Sequence, residues 1–334
     1  MIARIFHDWE RRLASAATNR VVRPFEWGLD WLDGAAGHGH APDAALRAWA
    51  RQATRDSDRF FHVDPAPAFD FDGRHLAFES AVTTPHPGNN TVHARFFKAR
   101  DDRGRAVVVL PHWNADAGSH VAFCELLARF GVSALRLSLP YHDARMPPEL
   151  SRADYIVSSN VGRTVQVCRQ AVLDARRAVQ WLHARGYEGI GIAGTSLGSC
   201  LSMLTAAHEP LLRAAAFNHV SPWFADVVWD GLSTRHVRQG LDGNITLELL
   251  RDIWLPISPF PYMHKVRGRK LLVVYGRYDL SFPLDLSKRF ITEFERHGVA
   301  HERFVLPCGH YSLGKAPFSW MTGAALTGFF RRSL

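Results

Sequence analysis

An α/β fold with a mostly parallel central sheet, an antiparallel N-terminal edge and helices on both faces follows from three observations. Short continuous apolar runs recur at 106–110, 189–193 and 270–275, as in strands buried on both faces. Longer helical patterns separate them, so strand and helix alternate along the chain. Ahead of them, two strand-like runs, 76–83 and 91–98, flank the turn cluster Pro85-His86-Pro87-Gly88-Asn89-Asn90 and read as an antiparallel hairpin.

Composition narrows the function classes. The chain has 334 residues, 47% of them hydrophobic, which is ample for a sizeable core. The formal net charge is +8, but the arginines are dispersed and form no basic block, so no nucleic-acid partner is expected. No apolar run is long enough to span a membrane, and Asp8, Glu10, Arg11 and Arg12 interrupt the N-terminus where a signal-type core would lie. A cytoplasmic location is the expectation. Cys124, Cys168, Cys200 and Cys308 are scattered, with no C-x-x-C pair, and imply neither a metal site nor a disulfide framework.

In order along the chain, residues 1–58 read as helices, with Ile2, Ile5, Phe6, Trp9 and Leu13 on one face and a resumed pattern at 44–55. Residues 1–70 are expected to form a helical extension packed on a core of 71–334. After the hairpin and the strand 106–110 come a helix (119–130), a strand (133–139), a loop-rich stretch (143–158) and a long helix (160–185). The strand 189–193 and a helix opening at Ser196 follow, then the strand 214–218. From about 221 to 269 regularity fades in an insert rich in aromatics and prolines, including Trp223, Trp229 and Trp254. The strand 270–275, a helix (283–297), a strand (301–306) and a last helix (317–332) complete the pattern.

The chemistry centres on Gly194-Thr195-Ser196-Leu197-Gly198, a G-x-S-x-G pentapeptide between a strand and a helix. The glycines let helix and strand pack closely while a strained turn aims the serine hydroxyl outward. The amide after the serine lies at a helix N-terminus, suited to an oxyanion. A serine hydroxyl is a poor nucleophile without a base and a group that holds the base. Asp279 closes the run Gly276-Arg277-Tyr278-Asp279 at the end of a strand, although an Asp there also caps the following helix. His310 follows Gly309 just past the final strand, whereas His297 and His301 lie nearer to helix and strand bodies. His38-Gly39-His40 reads as an incidental pair.

These residues resemble the α/β-hydrolase superfamily, in its dienelactone hydrolase, acetylxylan esterase and prolyl oligopeptidase branch, over about residues 70–334. The resemblance implies nucleophile Ser196, acid Asp279 and base His310, in that chain order. Asp226 and Asp230, past the preceding strand, are the alternative acids. It also implies an oxyanion hole from the Leu197 amide and a second donor in Pro111-His112-Trp113-Asn114. The glycine many relatives carry there is missing. Trp113 is preferred, by similarity to a His-Gly-Tyr-Asn run in acetylxylan-esterase-like members, with Asn114 as the alternative. Dienelactone hydrolases use cysteine, so Ser196 points to esterase or peptidase chemistry.

The expected function is a serine hydrolase that cleaves a small-molecule carboxylic ester through an acyl-enzyme. The alternatives are an acyl-amide hydrolase or peptidase, or a non-catalytic binding protein on the same fold. The insert is expected to cover the site, with Trp223 and Trp229 contacting substrate. No cofactor or metal is expected, since neither G-x-G-x-x-G, a Walker lysine nor H-E-x-x-H occurs.

Overall fold

In chain order, helices α1 (Ile2–Ser15), α2 (Pro42–Arg55) and α3 (Ser57–Phe60) precede strands β1 (Phe69–Phe71), β2 (His75–Glu79), β3 (Thr91–Phe97) and β4 (Arg105–Leu110). Alternation follows: α4 (Val121–Arg129), β5 (Ser133–Leu137), α5 (Val161–Ala184), β6 (Gly189–Thr195), α6 (Leu197–His208) and β7 (Leu212–Asn218). Three short helices, α7 (Phe224–Asp230), α8 (Arg235–Leu241) and α9 (Leu247–Ile253), lead to β8 (Lys270–Gly276), α10 (Leu284–Arg296), β9 (Glu302–Leu306) and α11 (Phe318–Ser333). This computed structural model describes residues 1–35 and 41–334; His38 and His40 lie outside the described residues.

The strands form one sheet in the order β1-β2-β3-β5-β4-β6-β7-β8-β9. Strands β1, β2 and β3 run antiparallel, as does β3 against β5, and the remaining pairings are parallel. Strand β4 is the switch point: the chain leaves it toward β5 on one side and returns by α5 to β6 on the other. Loops after such strands diverge and open a crevice beyond their C-terminal ends. Leu110 and Gly194, each at or near the end of its strand, are paired across β4 and β6.

Apolar side chains fill both faces. Val107, Val109 and Val274 pack with Leu127 of α4 and Phe330 of α11 on one side. Val108, Ile192 and Phe217 pack with α5, α6 and α10 on the other. Two glycines fix how closely α6 sits. A Cβ on Gly194 would lie 2.0 Å from the Gly198 carbonyl oxygen, and one on Gly198 would lie 2.3 Å from that of Leu110. No described helix is long and apolar enough to cross a membrane.

Three sequence expectations change. The insert is not irregular: α7, α8 and α9 occupy it, each of seven residues. Two turns are too short to show a period, and tertiary packing rather than propensity holds such helices. Trp254 is fully buried there and donates from Nε1 to the Val161 carbonyl at 3.1 Å. Strand β1 begins at Phe69, so the sheet reaches into the segment assigned to the extension. On α1, Ile2 and Ile5 are 61% and 62% exposed while Glu10 is buried. The expected stripe turns inward only in part: Phe6 packs on the core and stacks on Tyr278 with centroids 4.8 Å apart, while Glu10, which the stripe does not include, is the buried residue beside it.

Candidate active site

Ser196 sits between β6 and α6 with φ 57° and ψ −119°, a conformation costly for a residue with a Cβ. Its amide donates to the Asn218 carbonyl at 2.8 Å, which ties the turn to β7. Ser199 Oγ lies 2.7 Å from the Ser196 carbonyl oxygen and also reaches that of His219. The Ser196 side chain opens onto two cavities, a small apolar recess and a wide cleft.

Asp279 is buried just past β8. Its Oδ1 accepts the amides of Ser281 and Phe282, each at 2.7 Å, so it caps the following turn and leaves Oδ2 free. His310 Nδ1 lies 3.1 Å from Oδ2, and its ring stacks on Phe282 with centroids 5.4 Å apart. Burial raises the Asp279 carboxyl pKa, but the imidazoles of His310 and His219 outweigh it and hold the group below the usual carboxylate range. For His310 burial pulls the pKa down, yet Asp279 and then Glu10 win, and the net direction is up. His310 lines the wide cleft with Ser196. With Nδ1 on Asp279, Nε2 is the atom left to exchange a proton.

Three residues of this site escaped the sequence reading. His219, one residue past β7 with φ 60°, is 1% exposed, and its Nδ1 lies 2.7 Å from Asp279 Oδ2. The carboxylate lies off the N–H axis, and neither ring nitrogen has a hydrogen-bond partner. Burial lowers its pKa against the pull of Asp279. Glu10 of α1 is fully buried; Oε2 accepts the Tyr311 amide and Oε1 the Ser312 amide, both at 2.8 Å. A Cβ on Gly309 would lie 2.3 Å from Glu10 Cδ, which explains the glycine before His310. Ser199 is the third. None carries a motif: Glu10 lies 301 residues from its partner Tyr311.

The ligand atoms of His219, Asp279 and His310 lie within 4.8 Å of one another, close enough to hold a cation among the described residues.

The loop after β4 carries Trp113 and Asn114. The Asn114 amide donates to His142 Nε2 at 2.9 Å. His142 Nδ1 faces the Pro140 carbonyl at 2.8 Å, which fixes the tautomer that leaves Nε2 as acceptor. Burial pushes His142 down to about 3, so it stays neutral. The amides of Trp113 and Leu197 make no hydrogen bond among the described residues. Trp113 is fixed by its Nε1, which donates to the Ala153 carbonyl at 2.7 Å, and by stacking on His236.

The recess, of ≈ 40 Å³, is lined by Trp113, Leu197, Cys200, Trp223, Phe224 and Val227 among others. Trp223 is held by stacking on Phe260 with centroids 4.4 Å apart. Trp229 lines neither cavity; it lies under the Arg238 guanidinium, 3.3 Å from its centroid. Asp226 is buried and forks onto Arg251 at 2.6 and 2.9 Å, away from His310. Asp230 is exposed.

No family model matches the sequence, and no curated protein does. Solved structures do match. An acylaminoacyl peptidase of Pyrococcus horikoshii superposes with TM-score 0.62 at 16% identity over 80% of this chain and 42% of its own. An acetyl xylan esterase of Thermoanaerobacterium sp. JW/SL YS485 does so with TM-score 0.58 at 14% identity, over 96% and 97% of the two chains. The chain has the α/β-hydrolase fold. A third structure, an acetyl xylan esterase from Paenibacillus sp. R4, has TM-score 0.60 at 14% identity over 91% of this chain and 99% of its own. The chain therefore spans about two fifths of the peptidase, as its 42% coverage states, and nearly the whole of both esterases. In the α/β-hydrolase fold the sheet's switch point and the Ser196 turn occupy one crevice, into which the loops of Trp113, Asp279 and His310 converge.

Proposed function

We propose that the protein is a serine hydrolase that cleaves carboxylic esters of short acyl groups. The observation that carries this is the strained Ser196 turn sharing a cleft with His310, whose other nitrogen is held by the buried Asp279. Ser196 Oγ attacks the acyl carbon as His310 Nε2 takes its proton. Asp279 orients the ring and stabilises the imidazolium. The Leu197 and Trp113 amides hold the oxyanion; Asn114 is the weaker candidate because His142 already occupies its amide. His310 then gives its proton to the departing alcohol, an acyl-Ser196 ester remains, and water releases the acid by the same steps in reverse.

The short acyl chain rests on the recess. A water needs about 10–15 Å³ by this measure, so ≈ 40 Å³ admits a group of few atoms. Two of the similar structures are acetyl xylan esterases. The test is fluorophosphonate labelling of wild type and Ser196→Ala, with a p-nitrophenyl ester series run beside a chromogenic peptide amide. Labelling confined to wild type and turnover falling with acyl length are expected. Labelling that survives in Ser196→Ala, or turnover of the amide alone, overturns the reading.

A further inference from the structure

The wide cleft, of ≈ 850 Å³, is lined on its way out from Ser196 and His310 by two arginines, Arg20 and Arg152. Arg152 is 6% exposed, and its guanidinium lies 4.3 Å from the Trp113 ring centroid. Among the described residues it donates no hydrogen bond. Its Nε comes within 3.4 Å of Asp154 Oδ1, but off the N–H axis, and both atoms lack a hydrogen-bond partner. The other oxygen of Asp154 is held by Arg23 at 3.1 Å. Arg20 donates one bond, from Nη2 to the Tyr311 hydroxyl at 2.9 Å, and its buried Nε is unpartnered too.

The charge balance is therefore uneven. Arg23 and Arg152 share one carboxylate, Asp154, and Arg20 adds a further positive charge near Arg152. Glu10 is occupied by backbone amides, and His236 on the far side of Trp113 is pushed down to about 4 by burial and stays neutral. A buried cation without acceptors is costly, and the planar fork of arginine matches a carboxylate. Because Tyr311 adjoins His310, such an anion would sit on the side where the leaving group departs.

We propose that Arg152, with Arg20 beside it, forms an anion subsite for a carboxylate carried by the alcohol part of the ester. This rests on the hydrolase reading of Ser196. Cleavage would transfer the short acyl group to Ser196 and release a hydroxy acid, its hydroxyl proton supplied by His310. Water would then free the acyl group as a second acid.

The test compares 3-carboxyphenyl acetate with its neutral near-isostere 3-carbamoylphenyl acetate, together with benzoate binding read by tryptophan fluorescence, Trp113 being the ring beneath Arg152. Wild type should favour the carboxylate ester about tenfold or more in kcat/KM. Arg152→Gln should bring the ratio near one and weaken benzoate binding to match. Arg152→Lys and Arg20→Gln should give intermediate ratios, and they serve if Arg152→Gln does not fold. Equal kcat/KM for both esters in wild type overturns the anion subsite and leaves the hydrolase reading standing. Turnover of neither ester, with benzoate bound more weakly by Arg152→Gln than by wild type, overturns the hydrolase reading and keeps the subsite. Equal benzoate binding by wild type and the variants overturns the subsite whatever the turnover.

Discussion

Glu10 Oε1 accepts the backbone N–H of Ser312 at 2.8 Å, fastening the N-terminal helix to the loop that carries His310. The helix is thereby part of the site's architecture. Glu10→Ala leaves two buried amides unpaired, a loss of about 1–3 kcal/mol for each. A lower Tm and a kcat reduced at least about tenfold are expected, the latter from displacement of His310. Glu10→Gln should recover stability in part, since one acceptor oxygen remains. It also removes a charge that helps to raise the His310 pKa. His310 works as a base only when neutral, so kcat/KM should rise with pH through a value above 6.5 in wild type and through a lower one in Glu10→Gln. A pH profile with an unmoved midpoint would limit Glu10 to a structural role.

Asp279→Asn should lower kcat by about 10⁴, the effect of losing the orienting carboxylate in a serine triad. Asp226→Asn should instead lower Tm with little change in kcat, because it breaks the buried fork onto Arg251. Steady-state kinetics beside thermal melts separate the two. A collapse of kcat in Asp226→Asn alone would move the acid to the loop after β7.

Five histidines make the fold sensitive to acid. Burial pushes His112, His208 and His236 down to about 4 and His120 and His142 down to about 3. In the unfolded chain each titrates near 6.5, so between these values the unfolded state binds more protons and stability falls as pH falls. Each contributes up to about 1.4 kcal/mol per pH unit in that window. Melts at pH 7.5, 6.5, 5.5 and 4.5 should show Tm nearly level at first and then dropping steeply below 6.5. A Tm unchanged down to pH 5 would mean that these imidazoles protonate within the native fold.

The fold was legible because buried parallel strands are continuous apolar runs, and 106–110, 189–193 and 270–275 stand out against everything around them. Ser196 and Asp279 stand out as candidates because each follows such a run, Ser196 with a glycine two residues away on either side, and His310 because it follows a glycine just past the last strand. Glu10 and His219 were not. Glu10 lies on a helix whose apolar stripe does not include it, and its partners are backbone amides, which have no sequence signature. His219 becomes notable only when β7 and β8 are set side by side and Asp279 comes within 2.7 Å. The short helices α7, α8 and α9 were hidden for a related reason, since packing on one another and of α9 on α2 supplies what a two-turn pattern cannot.

The two tryptophans of the insert should now behave differently. Trp223 walls the recess beside Ser196 and is backed by Phe260, so its truncation opens space where the acyl chain ends. One methylene in an apolar pocket is worth about 1–3 kcal/mol in discrimination. Trp223→Ala should therefore raise kcat/KM for p-nitrophenyl hexanoate relative to the acetate by tenfold or more, on the order of that term. Trp229 lies away from both cavities, and Trp229→Ala removes its contact with Arg238, about 0.5–1 kcal/mol at a partly exposed site, together with its packing on the core. Its acyl-length profile should match wild type, with a slightly lower Tm. The comparison is internal, because both variants delete an indole from the same short helical region. A parallel loss of activity on every acyl length in Trp223→Ala, tracking its Tm, would mean that Trp223 only packs, and the recess would not set acyl length.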